Sequence, residues 1–380
     1  KVLARQLLMF TLLVHTRGPC VRIAVSHSRL KGTRASAIND NESPLRRLLN
    51  EASSFGESDT QARVEPRDTT VLLFPGQGSQ HVGMGRNLMD IPAAKQVKTW
   101  NTVGRWDVAR VCTEGPPEEL ERRCQTAVLV TSLAALERAR EQRPGALQRV
   151  RAAAGFSLGE IGALVFADAL PLERALRLVE LRAAAMRAAA AARPQGMLTV
   201  WLAPDARLAP ALQRARDHAA ERGVPEPVCQ VANYLYPGCK VIAGDEEALR
   251  WMESRGGGGA LGVRRAARVR VEGAFHTPLM ARAEAALREA LRAADARAPR
   301  LRVLSCVDAR AYGDAAHVRR QLARHVTRPV RWEQTLHALY ARPRGDSFPL
   351  TLALGPGAAL RATLRQVNAR AWDSSLQVDV

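Results

Sequence analysis

The stretch Ala152-Ala153-Ala154-Gly155-Phe156-Ser157-Leu158-Gly159-Glu160 constrains this chain more than any other part of it. A short apolar run ends in G-x-S-x-G and opens into a helical pattern, as a strand does when it turns sharply into a helix. Glycine two before and two after the serine removes the Cβ atoms that would collide as the backbone folds back, so Ser157 Oγ stands exposed at the turn. The first free N–H groups of the following helix point at whatever that oxygen attacks. The Leu158 N–H is therefore a candidate donor to an oxyanion. The same pattern also suits a serine that merely caps a helix, so the rest of the chain has to decide.

The folded part begins at Thr69 to Phe74 (TTVLLF), an apolar β-branched run that predicts a buried strand. It leads into Pro75-Gly76-Gln77-Gly78-Ser79-Gln80-His81-Val82-Gly83-Met84-Gly85. This spacing is neither a P-loop nor G-x-G-x-x-G with its later acid, which sets nucleotide binding aside. What remains for such a loop is close backbone approach to a substrate, with N–H groups as donors. Helices are predicted over Gln125 to Arg138, Leu158 to Phe166 and Pro171 to about Ala192. On the last of these Leu172, Leu176, Val179, Ala183 and Met186 form an inward stripe, and Arg174 and Arg177 face water. Arg182 lies at the edge of the stripe, where a half-buried guanidinium needs a partner; a planar carboxylate is the natural one, and snorkelling from the helix flank is the alternative.

From Gly196 the pattern changes to short strands and helices. Strands are predicted at Met197 to Leu202, Val228 to Ala232, Lys240 to Ala243 and Arg268 to Val271, with helices at Pro210 to Gly223 and Glu246 to Ser254. That is the strand-helix-strand-strand-helix-strand order of a ferredoxin-like unit, here inserted into a larger domain. Gly273-Ala274-Phe275-His276-Thr277-Pro278 follows, with Thr277 suited to an N-cap and Pro278 to a first helical position. His276 thus sits in a strand-to-helix loop and is a plausible base for Ser157; His81, in the glycine loop, is its main rival. Leu350 to Leu354 reads as a further buried strand before a Gly355-Pro356-Gly357 turn and a final helix. Strands alternating with helices predict a parallel α/β sheet.

Composition bounds what else the chain can do. The net charge of +19 points to an anionic partner, but with aromatics at 4% and arginines spread along helical stretches the sequence argues against nucleic acid. Cys20, Cys112, Cys124, Cys229, Cys239 and Cys306 form no C-x-x-C pair and no ligand set with histidine, so no metal site and no disulfide framework is expected. Residues 1–39 are basic, carry Ser and Thr and contain no acid, which is the composition of an organellar transit peptide; Leu7 to Val14 offers the competing reading of a secretory h-region. Residues 40–67 read as a linker, and no apolar run reaches bilayer length, so no membrane span is expected.

Taken together, FPGQGSQxxGMG, GFSLGE, the Arg182 helix, VANYLYPGCKVIAG, GAFHTPLM, RPVRWEQTL and LALGPG resemble the malonyl-CoA:acyl carrier protein transacylase family, most closely its animal mitochondrial members. The resemblance covers roughly residues 69–375 in seven segments. It implies an α/β-hydrolase-like large subdomain with a parallel sheet (68–195 and 272–375) plus an inserted ferredoxin-like small subdomain (196–271). Ser157 matches the family's nucleophile and His276 its general base. Gln77 matches the residue whose backbone N–H joins that of Leu158 in the oxyanion hole, and Arg182 the arginine that pairs with the malonyl carboxylate. Phe275 and Asn233 fall on the substrate side, Phe275 where it would crowd a methyl branch. The family orients its histidine by a backbone carbonyl from the segment matching Thr327 to Trp332. Phe156 departs from the bacterial pattern, where histidine is usual.

The implied reaction carries malonyl from malonyl-CoA to the phosphopantetheine thiol of acyl carrier protein through a malonyl-serine, in the mitochondrial matrix. CoA and carrier protein are the partners, and no cofactor is implied. A serine thioesterase using the same dyad, or a non-catalytic carrier-protein or RNA-binding module, are the alternatives. A carboxylate clamp at Arg182 makes little sense for a lipase-like hydrolase, and a module released from catalysis has no reason to keep Ser157, His276 and Gln77.

Overall fold

The computed structural model describes residues 68–88, 106–255, 257–378 and 380. The expected leader and linker lie outside them. Two sheets organise the chain. The larger has the order β7-β2-β1-β8-β9, with β1 Thr70–Phe74, β2 Val150–Gly155, β7 Arg302–Leu304, β8 Leu350–Leu354 and β9 Ser375–Val378, and every pairing in it is parallel. Its central strands β1 (TVLLF) and β8 (LTLAL) read as near-continuous apolar runs because both faces are covered. Along β1, Leu72 and Phe74 enter one core with the helices α1 (Cys124–Gln142), α2 (Gly159–Phe166) and α3 (Leu172–Ala190), while Val71 and Leu73 enter a second, on the opposite face.

The smaller sheet has the order β4-β5-β3-β6, built from β3 Gln195–Leu202, β4 Cys229–Tyr236, β5 Cys239–Asp245 and β6 Val263–Arg268, all antiparallel. With helices α4 (Leu208–Glu221) and α5 (Glu246–Glu253) packed on one face, this is ferredoxin-like topology. The last strand lies earlier than Arg268 to Val271: pairing with β3 matches Leu202 with Val263 and Leu198 with Arg268, and a last bond from the Val269 N–H to the Met197 carbonyl (3.0 Å) ends the ladder as Val269 to Val271 begins. Those residues become the approach to His276. β7 and β9 have no expectation from the sequence; three and four residues long, they are strands only because β2 and β8 offer edges.

Helices α6 (Ala281–Arg292) and α7 (Ala315–Arg324) complete the first core, and α8 (Trp332–Tyr340) and α9 (Ala359–Val367) cover the opposite face. β4 is tied to the segment before α8 by the Tyr234 N–H to the Val330 carbonyl (2.9 Å) and the Val330 N–H to the Ala232 carbonyl (2.8 Å). Among the described residues no helix is long and apolar enough to cross a membrane. Cys112, Cys124, Cys229, Cys239 and Cys306 are buried free thiols.

Candidate active site

β1 and β2 are parallel neighbours with Phe74 opposite Gly155, so the glycine loop after one and the serine turn after the other leave the same edge of the sheet. Ligands of open α/β sheets bind at this carboxyl edge. The turn needs its glycines. A Cβ on Gly155 would fall 1.9 Å from the Gly159 carbonyl carbon, and one on Gly159 would fall 2.2 Å from the Phe74 carbonyl oxygen. Gly76 serves the same end from the other side: its Cβ would meet the Phe156 carbonyl oxygen at 2.5 Å, so the glycine loop lies directly on the serine turn. Ser157 has φ +51°, a conformation costly for a residue with a Cβ and one that the surrounding backbone imposes.

His276 also has a positive φ, +64°, and is buried. Its N–H donates to the Val326 carbonyl at 2.8 Å, and Thr277 caps the turn that leads into α6. The ring's Nδ1 lies 2.6 Å from the His325 carbonyl oxygen and 3.1 Å from that of Arg328. Two carbonyls can only accept, so Nδ1 carries the proton and Nε2 is free to take one. Nε2 faces Ser157 Oγ at 3.0 Å. The orienting carbonyls only partly match the expected Thr327 to Trp332 segment: Arg328 is inside it, but the shorter contact is to His325, where α7 ends. Burial, with the Arg182 charge second, pulls the His276 pKa from 6.5 to about 4, so the ring is a neutral base at physiological pH. The rival His81 is exposed, and its ring lies within hydrogen-bond distance of the Ser79 carbonyl and not of Ser157.

Arg182 departs from expectation in two ways. It is 1% exposed rather than half-buried, because it falls three residues after Val179 and four before Met186, on the face that α3 turns to the core. It also has no carboxylate within ion-pair distance among the described residues. Its Nε donates to His325 Nε2 (2.8 Å), one terminal nitrogen to Gln125 Oε1 (2.6 Å) and the other to Ser157 Oγ (2.9 Å), all three neutral. Burial lowers its pKa to about 10, which leaves the guanidinium charged at neutral pH. Gln125 in turn donates to Gln77 Oε1 at 3.2 Å, so the glycine loop, α1, α3 and the serine turn share one hydrogen-bonded network. The backbone N–H groups of Gln77 and Leu158 donate to no group among the described residues, which keeps them available as a pair.

The remaining expected residues lie around this centre. Phe275 is buried immediately before His276, and Asn233 is buried on β4 with its Oδ1 unpartnered. Gln230, on the same strand, donates to the His276 carbonyl at 3.2 Å. The Phe156 ring packs edge-on against Trp332, centroids 5.5 Å apart, which gives this apolar replacement a place in the second core. Beneath the turn, Glu160, Cys306 and His325 bring donor atoms within 4.8 Å of one another, a trio that no spacing along the chain announces. The Glu160 carboxylate accepts the Cys306 N–H and the Tyr312 hydroxyl, and its pKa is pushed up to about 7 by burial. Burial and Glu160 hold the Cys306 thiol protonated, and Arg182 already places a cation on His325, so the trio is chemically a hydrogen-bonded cluster and poorly suited to a second cation.

A neutral base on a serine, a pair of free N–H donors beside it and a buried cation touching the same oxygen can together support acyl transfer through that oxygen. The acyl transferase domain model matches residues 71–348 of the chain. The chain belongs to the acyl transferase domain family. It is 44% identical over 371 residues (95% of the chain and 97% of the relative) to a probable mitochondrial malonyl-CoA-acyl carrier protein transacylase of Drosophila melanogaster. It is 42% identical over 339 residues (88% and 86%) to the human mitochondrial malonyl-CoA-acyl carrier protein transacylase. These identities place it among the malonyl-CoA:acyl carrier protein transacylases. The crystal structure of the transacylase from Xanthomonas oryzae superposes with a TM-score of 0.71 at 30% identity, covering 83% of this chain and 95% of that one. A malonyl-transacylase solved with a type II polyketide acyl carrier protein gives 0.70 at 29% identity, covering 80% and 94%. Against this family background, sequence reasoning missed Gln125 and His325 as members of the site. Gln125 was visible only as a polar residue opening an apolar helix, and His325 only as one histidine among eight.

Proposed function

We propose that this chain carries the malonyl group from malonyl-CoA to the phosphopantetheine thiol of an acyl carrier protein, with a malonyl-Ser157 ester between the two half-reactions. The observation that carries the reading is Arg182, a buried guanidinium bonded only to neutral acceptors and touching the serine oxygen itself. A charge left unpaired in the core is costly, and an acyl group that ends in a carboxylate repays the cost by pairing with it. His276 Nε2 takes the Ser157 proton as Oγ bonds to the thioester carbon, and the N–H groups of Gln77 and Leu158 hold the oxyanion. The carbon–sulfur bond then breaks, and the proton on His276 passes to the departing CoA thiolate. In the second half the carrier thiol gives its proton to His276 and attacks the ester carbon, and the carbon–oxygen bond to Ser157 breaks as Oγ takes that proton from His276 and leaves as the hydroxyl. The mitochondrial names of the relatives, with the basic leader composition, support action in the mitochondrial matrix, feeding fatty acid synthesis there.

Intact-protein mass after brief incubation with malonyl-CoA tests the reading. Wild type gains a malonyl adduct that an acyl carrier protein removes and converts to malonyl carrier protein; Ser157→Ala gains none. An adduct on Ser157→Ala, or one that leaves equally fast with and without carrier protein, sinks the transferase.

A further inference from the structure

Complete burial sets a condition on Arg182: each of its three nitrogens needs an acceptor that is not water. Of the three it has, the imidazole of His325 is the unusual one. A ring nitrogen accepts only when it carries no proton, so Nε2, which takes the Arg182 Nε–H at 2.8 Å, leaves the proton on Nδ1. That Nδ1 is buried with no hydrogen-bond partner, and the whole residue is 1% exposed. Burial above all keeps it neutral, and the charge of Arg182 on α3 adds to this by opposing a second positive charge. Glu160 on α2 and Cys306 after β7 lie on the remaining side, the carboxylate engaged by the Cys306 N–H and the Tyr312 hydroxyl. The backbone of the same residue reaches the other half of the site, its carbonyl accepting the His276 Nδ1–H at 2.6 Å.

We propose that His325 is a specificity-determining positioning residue, whose Nε2 fixes the plane of the Arg182 guanidinium without neutralising its charge, so that the charge is left for the carboxylate of the incoming acyl group. The inference rests on the transferase reading above. The physical choice at this position is between three kinds of side chain. A carboxylate would hold the guanidinium as firmly but would cancel the charge that selects a dicarboxylic acyl group. A hydrocarbon would leave the charge and let the guanidinium swing, since Gln125 and Ser157 each hold one terminal nitrogen and nothing else holds Nε. A neutral acceptor does both tasks. His325 acts through Arg182 and does not touch the reacting atoms with its side chain.

The test uses the full chain with His325→Gln, His325→Leu and His325→Glu, all of which keep the main-chain carbonyl on His276. Acylation rates with malonyl-CoA and with acetyl-CoA are read by intact mass, with Ser157→Ala as the blank, and the malonyl-to-acetyl ratio is compared among variants. That ratio is internal to each variant, so a general loss of activity or stability does not move it. His325→Leu is expected to lower the ratio about tenfold and His325→Glu by more, on the order of a hundredfold, while His325→Gln stays within about threefold of wild type. A ratio unmoved in both Leu and Glu variants overturns the inference, as does a Gln variant as damaged as Leu. If wild type forms no Ser157-dependent malonyl adduct, the transferase reading falls and takes the inference with it; normal wild-type loading with an unmoved ratio overturns the inference alone.

Discussion

Arg182 and Arg268 solve the same problem in opposite ways. Arg268, on the edge strand of the small sheet and about a third exposed, is gripped by two carboxylates: its nitrogens reach Glu246 at 2.9 and 3.0 Å and Glu253 at 2.9 and 2.6 Å. Water could have solvated that charge unaided. Arg182 sits where no water can, yet its three acceptors are an imidazole, an amide and a hydroxyl. Stability alone would distribute carboxylates the other way round. The difference teaches that the cation in the cleft lacks the carboxylate partners that neutralise the one joining β6 to α5, which is what the proposed pairing with an incoming acyl carboxylate requires.

The comparison can be broken most severely at Arg182. Arg182→Ala is expected to slow acylation by malonyl-CoA at least about a hundredfold while slowing acetyl-CoA much less, because the proposed pair with the acyl carboxylate is lost; equal losses with both donors would remove the contrast. Importing the Arg268 solution into the cleft comes next. Gln125→Glu places a carboxylate on Arg182 in nearly the same volume, and malonyl loading should fall on the order of tenfold as the charge is consumed from within. A smaller effect should be seen with pH. With the His276 pKa lowered from 6.5 to about 4, the base is neutral above that value and protonated below it, so the acylation rate should stay flat down to about pH 5.5 and fall only below about pH 5. A fall centred near the ordinary histidine value would show that burial does not set this base. The smallest effect belongs to Arg268→Gln, which should cost no more than about 1 kcal/mol in thermal unfolding and leave malonyl loading unchanged.

Local rules made much of the site legible. The serine turn was readable because its glycines answer a steric demand within five residues, and the structure puts clashes of 1.9 and 2.2 Å at the two positions. The ferredoxin-like order was readable because each short element carries its own periodicity. Arg182 was readable as a position on the α3 stripe, but not its depth, since depth depends on Gln125 and His325 arriving from α1 and from the end of α7. The histidine that binds Arg182 lies 143 residues away in the chain. No spacing rule spans such a distance. The final strand of the small sheet was misplaced because Val269 to Val271 looks more like a strand than Val263 to Arg268, and only the register with β3 decides between them.

The sequence by itself determined where the chain turns, which residues are nucleophile and base candidates, and that a cation lies near them, because glycine sterics, capping and periodicity act over a few residues. Only the tertiary structure decided that the cation is fully buried, that its partners are neutral, and that one residue, His325, holds it with a side chain while orienting His276 with a carbonyl. Those facts depend on which distant segments meet, and that is settled by packing two cores around a parallel sheet rather than by any local preference.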